Sequence, residues 1–175
     1  MNIRAITPEV LGTDDTVIEV NRDLLERLRA MAPTSSRKRV RFNSHPGPDS
    51  IVQEMIIALA HDTYIPPHRH GGKSESFHII EGELDIVLFE DDGRIRRVVH
   101  MGGPGSGRSI FYRTELSIYH AVIVQSETVL FHETTRGPFV KGESEFAPWA
   151  PSSEGPAADA YAAELRRRIA KTPAV

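Results

Sequence analysis

Between residues 51 and 134 the chain carries seven short segments rich in Val, Ile and Phe: VQEMIIAL, ESFHIIEG, ELDIVLFE, RIRRVVHM, SIFYR, YHAVIVQ and TVLFHET. Turn signals separate most of them, at Glu81-Gly82, Asp91-Asp92-Gly93, Gly102-Gly103-Pro104-Gly105 and Ser126-Glu127. Many short strands at close spacing, with no helical period between them, predict an antiparallel sandwich or barrel.

The flanks read differently. Residues 21–32, NRDLLERLRAMA, place Leu24, Leu25, Leu28 and Met31 on one stripe of a helix, with Asn21 as N-cap and Pro33 as the stop. A short strand is expected at Val40 to Phe42, within an otherwise loop-like stretch. After residue 136, RGPFVKGESEFAPWAPSSEGP reads as an extended tail anchored by Phe139, Phe146 and Trp149. A final helix starts at Pro156, carries Tyr161, Leu165 and Ile169 at fourfold spacing, and stops near Thr172-Pro173. The expected organisation is an N-terminal helical extension over 1–36, a β domain over 37–135, and a tail with a C-terminal helix packed on that domain over 136–175.

A chain of 175 residues, 39% hydrophobic and 26% charged, suits one soluble globular domain. A formal charge of −3 gives no general drive toward nucleic acid or an anionic membrane. The runs Arg37-Lys38-Arg39 and Arg166-Arg167-Arg168 read as solvated faces. The absence of cysteine removes disulfides, thiolate metal sites and cysteine nucleophiles together, and fits a cytoplasmic protein. No segment has the apolar length of a signal peptide or a membrane span.

The chemistry concentrates in PPHRHGGKSESFHIIEG, residues 66–82. Residues i and i+2 of a strand share a face, so His68 and His70 aim their imidazoles at one point. Glu75 follows a Gly71-Gly72 turn at which the chain can return, and His120, opening YHAVIVQ, is the best third nitrogen ligand. His-x-His alone equally suits two exposed loop histidines; the glutamate and the all-β context favour a metal. His45 either lines the mouth of the site or caps a turn, while His78 faces outward and His61, His100 and His132 carry no chemistry. Arg69, between the paired histidines, also faces outward.

His68-x-His70, four residues, Glu75, six residues and Gly82 resemble the first motif of the cupin superfamily, whose second motif would supply His120. More narrowly, RFNSHPGPDSIVQEMIIAL, TYIPPHRHGGKSESF, VLFEDDGRI and GPFVKGESEFAPWAPSSEG resemble the WbuC-type cupins, over roughly residues 40–156. The resemblance implies a single cupin (jelly-roll) β-barrel over 37–135 with short flanking helices. It also implies one divalent transition metal ion held by His68, His70, Glu75 and His120, often encoded among surface-polysaccharide genes, with no established reaction. The chain departs from the pattern at Asp62, where a glycine is expected, and at Glu115 to His120, which lacks the usual proline and glycine; Val124 replaces a final asparagine.

Three imidazoles and a carboxylate suit Zn, Fe, Mn or Ni. If Ser126-Glu127 is a two-residue hairpin turn, His120 faces Glu133, which then points inward as a general base or as an orienter of a ligand histidine. A one-residue slip instead makes Glu133 a surface residue at a strand end. The expected function is a metal-dependent enzyme on a small oxygen-rich substrate such as a sugar or sugar nucleotide, of isomerase, epimerase or oxygenase type. The alternatives are a metal-dependent binding module and a barrel whose metal is structural. No G-x-S-x-G elbow is present, and GGPGSG lacks the lysine of a phosphate loop. The expected partners are a small-molecule ligand and a second copy in a homodimer, with no nucleic acid and no membrane.

Overall fold

The central strands show little polar–apolar alternation because both of their faces are covered. In the computed structural model, which describes residues 1–115 and 117–171, two sheets face each other and a helix lies outside each one. The seven-stranded sheet runs β1 (Ile3–Thr7), β2 (Val10–Thr13), β3 (Arg39–Asn43), β4 (Val52–Ala60), β11 (Thr128–Arg136), β6 (Glu75–Glu81), β9 (Phe111–Thr114). The five-stranded sheet runs β12 (Ser144–Phe146), β5 (His68–His70), β10 (His120–Val124), β7 (Glu83–Phe89), β8 (Ile95–Gly102). Apart from the parallel β2–β3 pair, neighbours are antiparallel. The sheets are not joined into one closed barrel, so the expected barrel is realised as a mostly β two-sheet sandwich with two short helices.

Phe77 and Ile79 from β6, Leu84 and Ile86 from β7, Val122 and Val124 from β10, and Val129 and Phe131 from β11 fill the space between the sheets. The intervening residues point the other way. Ile56, Ala58 and Leu130 meet Leu24 and Leu28 of α1 (Arg22–Met31) outside the larger sheet. Val87, Phe89, Ala121 and Ile123 meet Leu165 and Ile169 of α2 (Pro156–Ile169) outside the smaller one. Fully burying such a side chain stabilises by about 1.5–3 kcal/mol. Asn21 caps α1, its side chain accepting from Leu24 N at 3.1 Å, and a 3₁₀ turn at Ala32–Thr34 containing Pro33 follows the helix. The expected stop of α2 near Thr172-Pro173 lies outside the described residues.

All seven predicted segments are strands, and Val40 to Phe42 falls within β3. Three features differ. The first thirteen residues, expected within a helical extension, contain β1 and β2, which lengthen the larger sheet; short strands with Gly12 and Thr13 among few apolar residues give no periodic signal. Trp149 alone of the three expected anchors packs inward, its ring 4.9 Å from Phe89, while Phe139 and Phe146 are exposed. The last expected hairpin is absent, since β10 pairs with β7 and β5 whereas β11 pairs with β4 and β6.

The chain thus crosses between sheets at residues 125–127, held by Gln125 N donating to Glu83 O at 2.9 Å. Gly82, with φ +79°, lies directly under this crossing. A Cβ there would sit 2.4 Å from Thr128 O and 2.6 Å from Ser126 Oγ, so both the backbone angle and the close approach require glycine.

Candidate metal centre

β5 is only three residues long, but neighbours hold both of its edges: His120 of β10 lies opposite His68, and β12 pairs Ser144 with His70 and Phe146 with His68. Strand alternation turns Arg69 outward, where it binds Glu145 and Asp91 and lies over the Tyr119 ring. His68 and His70 turn inward, and the rings of His68 and His120 are 4.6 Å apart. Among the described residues, His68, His70 and His120 form a group whose ligand atoms all lie within 4.8 Å of one another.

Each ring is oriented through its other nitrogen. His68 Nδ1 lies 2.9 Å from Pro66 O, His120 Nδ1 lies 3.1 Å from Ile118 O, and His70 Nδ1 lies 3.1 Å from Ser144 Oγ. Imidazoles that donate from Nδ1 present unprotonated Nε2 atoms, the usual arrangement of metal-binding histidines. Glu75 opens β6 from the opposite sheet and is buried; its carboxylate oxygens lie 3.8 Å from His70 Nε2 and 3.3 Å from His120 Nε2. Its Oε2 is buried without a well-angled hydrogen-bond donor. Three nitrogens and one under-satisfied carboxylate oxygen fit a divalent transition ion, and these four residues could hold one.

Burial pushes the Glu75 carboxyl up, but the imidazoles of His120 and His70 beside it outweigh burial and hold the group well below the usual carboxylate range. Burial, reinforced by the neighbouring His120, pushes His68 down to about 4. Burial disfavours charge on His120 as well, but the Glu75 carboxylate beside it prevails and raises its pKa. The neutral His68 and ionised Glu75 are the states a cation requires, and His120 would give up its proton to one.

Glu133 shares this cavity, about 330 Å³ in volume, with all three histidines and Glu75. It lies opposite Phe77 in the β11–β6 register, while Thr135 lies opposite Glu75, so Glu133 and Glu75 are diagonal neighbours on the inner face. Its inward direction agrees with expectation, but the reason is different. Pairing with β6 and β4 aims it, not a hairpin with β10. Burial, then the Glu75 charge, pushes its carboxyl up to about 8, against the opposing pull of Arg41.

Arg37, Arg39 and Arg41 also line the cavity, which reading Arg37-Lys38-Arg39 as a solvated run missed. Their two-residue spacing beside buried Val40 and Phe42 was the available signal. His45 lines an adjoining cavity with His70, Glu75 and Glu133, as a mouth residue would, while its Nδ1 contacts the Glu54 backbone. The remaining histidines lie elsewhere: His61 contacts Ser126 O, His100 contacts Asp85, His132 faces Glu54 and His78 is exposed.

Two sheets enclosing a histidine cluster define the class, a double-sheet β fold similar to several solved structures. Similar solved structures include CapF bound to 3-isopropenyl-tropolone (TM-score 0.51, 12% identity, covering 64% of this chain and 32% of that one). L-ribose isomerase from Cellulomonas parahominis gives a TM-score of 0.50 at 14% identity, over 66% of this chain and 72% of that one. An RmlC-like cupin family protein with a double-stranded β-helix fold from Methanocaldococcus jannaschii gives 0.46 at 16% identity, over 73% and 94%. The chain spans about a third of CapF's length. Within the sequence, a domain of unknown function, DUF6016, matches residues 20–101, a span that includes His68, His70 and Glu75 but neither His120 nor Glu133. No curated protein matches the chain.

Proposed function

We propose that the chain is a metal-dependent enzyme acting on a small oxygen-rich substrate, a sugar or sugar nucleotide, by isomerisation, epimerisation or an oxygenase step. His68, His70, Glu75 and His120 hold one ion of Zn, Fe, Mn or Ni, and Glu133 is the acid–base group. The observation carrying this reading is that Glu133 lines the same cavity as the three imidazoles, where burial favours its protonated form. A purely structural metal site has no use for a second, protonatable carboxyl beside it. The resemblance to WbuC-type cupins supports a place in surface-polysaccharide biosynthesis, and one protein of similar fold is named a sugar isomerase.

A bound divalent ion supplies polarisation of a carbonyl, or a bound water of lowered pKa. The chain's own residues do the rest. Ser144, Pro66 and Ile118 fix the imidazole rings. Phe77, Val122 and Phe131 supply an apolar cavity wall that limits water. Glu133 takes or gives a proton at its carboxylate oxygen.

Elemental analysis of purified protein tests the ligand set; one ion per chain is expected in the native protein, and loss of it in His120→Ala and Glu75→Gln. A thermal-shift screen of nucleotide sugars, keto acids and free sugars on the loaded protein, repeated on His68→Ala, then identifies ligands that depend on the metal. A substrate bound but never converted would replace catalysis with the binding-module reading. Protein that takes up no ion would overturn both.

A further inference from the structure

Arg39 and Arg41 alternate along the start of β3, so strand geometry gives them one side, and Arg37 precedes the strand. All three line the inner cavity and also an outer vestibule of about 720 Å³ that shares His68 with it. Arg37 is spent: it binds Glu9, its Nε donating to Oε2 at 2.6 Å, while its backbone N and Ser36 Oγ donate to Oε1. Arg39 is nearly free, with one long contact from Nη1 to Tyr64 O at 3.4 Å. The Arg41 guanidinium has neither a hydrogen bond nor an ion pair among the described residues.

Two guanidinium groups with donors to spare stand at the throat, Arg39 half-buried and Arg41 reaching solvent. Burial disfavours the charge on both, and each is repelled by Arg37. The nearby carboxylates, Glu154 in the vestibule and Glu133 inside, attract them through space without bonding to them. Planar guanidinium forks with free donors in such a place match an oxyanion. The rest of a molecule held there lies toward His68, at the shared wall of the two spaces.

We propose that Arg39 and Arg41 form an anion subsite at the throat of the cavity, which takes a phosphoryl or carboxylate group of the substrate while its reacting end lies at the histidine cluster. The second half of this statement rests on the proposed function; the anion subsite does not. The substrate is thereby narrowed from an oxygen-rich molecule to an acidic one, with a sugar phosphate or sugar nucleotide favoured over a free sugar.

Titration calorimetry with inorganic phosphate, and separately with acetate at matched ionic strength, tests the subsite on the native protein, on Arg39→Gln and on Arg41→Gln. Arg167→Gln, on the exposed side of α2, serves as the control. Saturable binding that weakens at least tenfold in each throat variant and is unchanged in the control is expected. Phosphate binding assigns a phosphoryl group, and acetate binding alone assigns a carboxylate. His68→Ala, which removes a metal ligand, retains this binding if the arginines provide it and loses it if a metal ion does. The second result overturns the subsite, as does equal affinity in the throat variants or no binding of either anion. Because metal content is measured separately, the subsite and the metal reading fail independently.

Discussion

Glu133 gives the residue scale its sharpest test. Losing a positioned acid–base group costs about 10²–10⁴ in rate, so Glu133→Gln is expected to keep its fold and metal while turnover falls by that order. Wild-type turnover in Glu133→Gln would refute the role. In metal-free protein the same group predicts a pH dependence. Its folded value of about 8 exceeds the ordinary 4.5, so its contribution to stability is full below 4.5 and is lost as pH rises through 8. His68 acts in the opposite sense: its folded value of about 4 lies below 6.5, so stability present above 6.5 is lost as pH falls toward 4. Urea denaturation across these windows should show the alkaline loss vanish in Glu133→Gln and the acid loss shrink in His68→Gln. The ligand candidates were legible because strand alternation is local: Glu75, Phe77 and Ile79 share a face whatever the partner strands are. Partner choice was not legible. A two-residue connection such as Ser126-Glu127 looks the same in sequence whether the chain folds back beside its own strand or crosses to the facing sheet, and here Glu83 and Gly82 decide for the crossing.

At the scale of elements, each sheet needs its helix. Leu28 is fully buried between α1 and the larger sheet, and Leu28→Ala is expected to cost about 2–5 kcal/mol, measured by urea denaturation, because the lost contacts leave a cavity. The leucine stripe announced α1 in the sequence, since Leu24, Leu25, Leu28 and Met31 fall on one side of a chain only when it is wound at a period near 3.6. β12 gave no such announcement, being three residues with an exposed Phe146, yet its effect on the site is direct. Ser144 Oγ orients the His70 ring, and partners of this kind are typically worth 10–100-fold in metal affinity. Ser144→Ala is therefore expected to weaken metal binding within that range, in competition with a chelator, while melting of the metal-free protein changes little. A loss of metal-free stability comparable to that of Leu28→Ala would instead make β12 a purely structural strap.

For the whole molecule, the placement of the helices redirects the question of assembly. α1 and α2 cover the central parts of the outer faces of the two sheets, which leaves a second copy other surfaces to meet. Ile51, Val52, Phe139 and Val140 are all more than half exposed, and the backbone links the two stretches through Gly137 N to Ile51 O and Phe139 N to Pro48 O. We propose that these exposed apolar side chains meet a second copy. A homodimer is the expected state, and Ile51→Asp with Phe139→Asp should turn it into a monomer in light scattering at micromolar concentration; a wild-type monomer would refute it. No helix among the described residues is long and apolar enough to cross a membrane. The pairing of β5 with β10 and β12 also has a consequence for synthesis on the ribosome. The paired histidines emerge early, but their third partner is residue 120 and the strap that steadies them ends at residue 146. A nascent chain can therefore display His68 and His70 without a closed site while residues 71–146 are added, and metal capture is expected to wait until β12 has been made. Chains arrested just before residue 120 should bind the ion no better than a His-x-His peptide, and chains released after residue 146 should bind it as the full protein does.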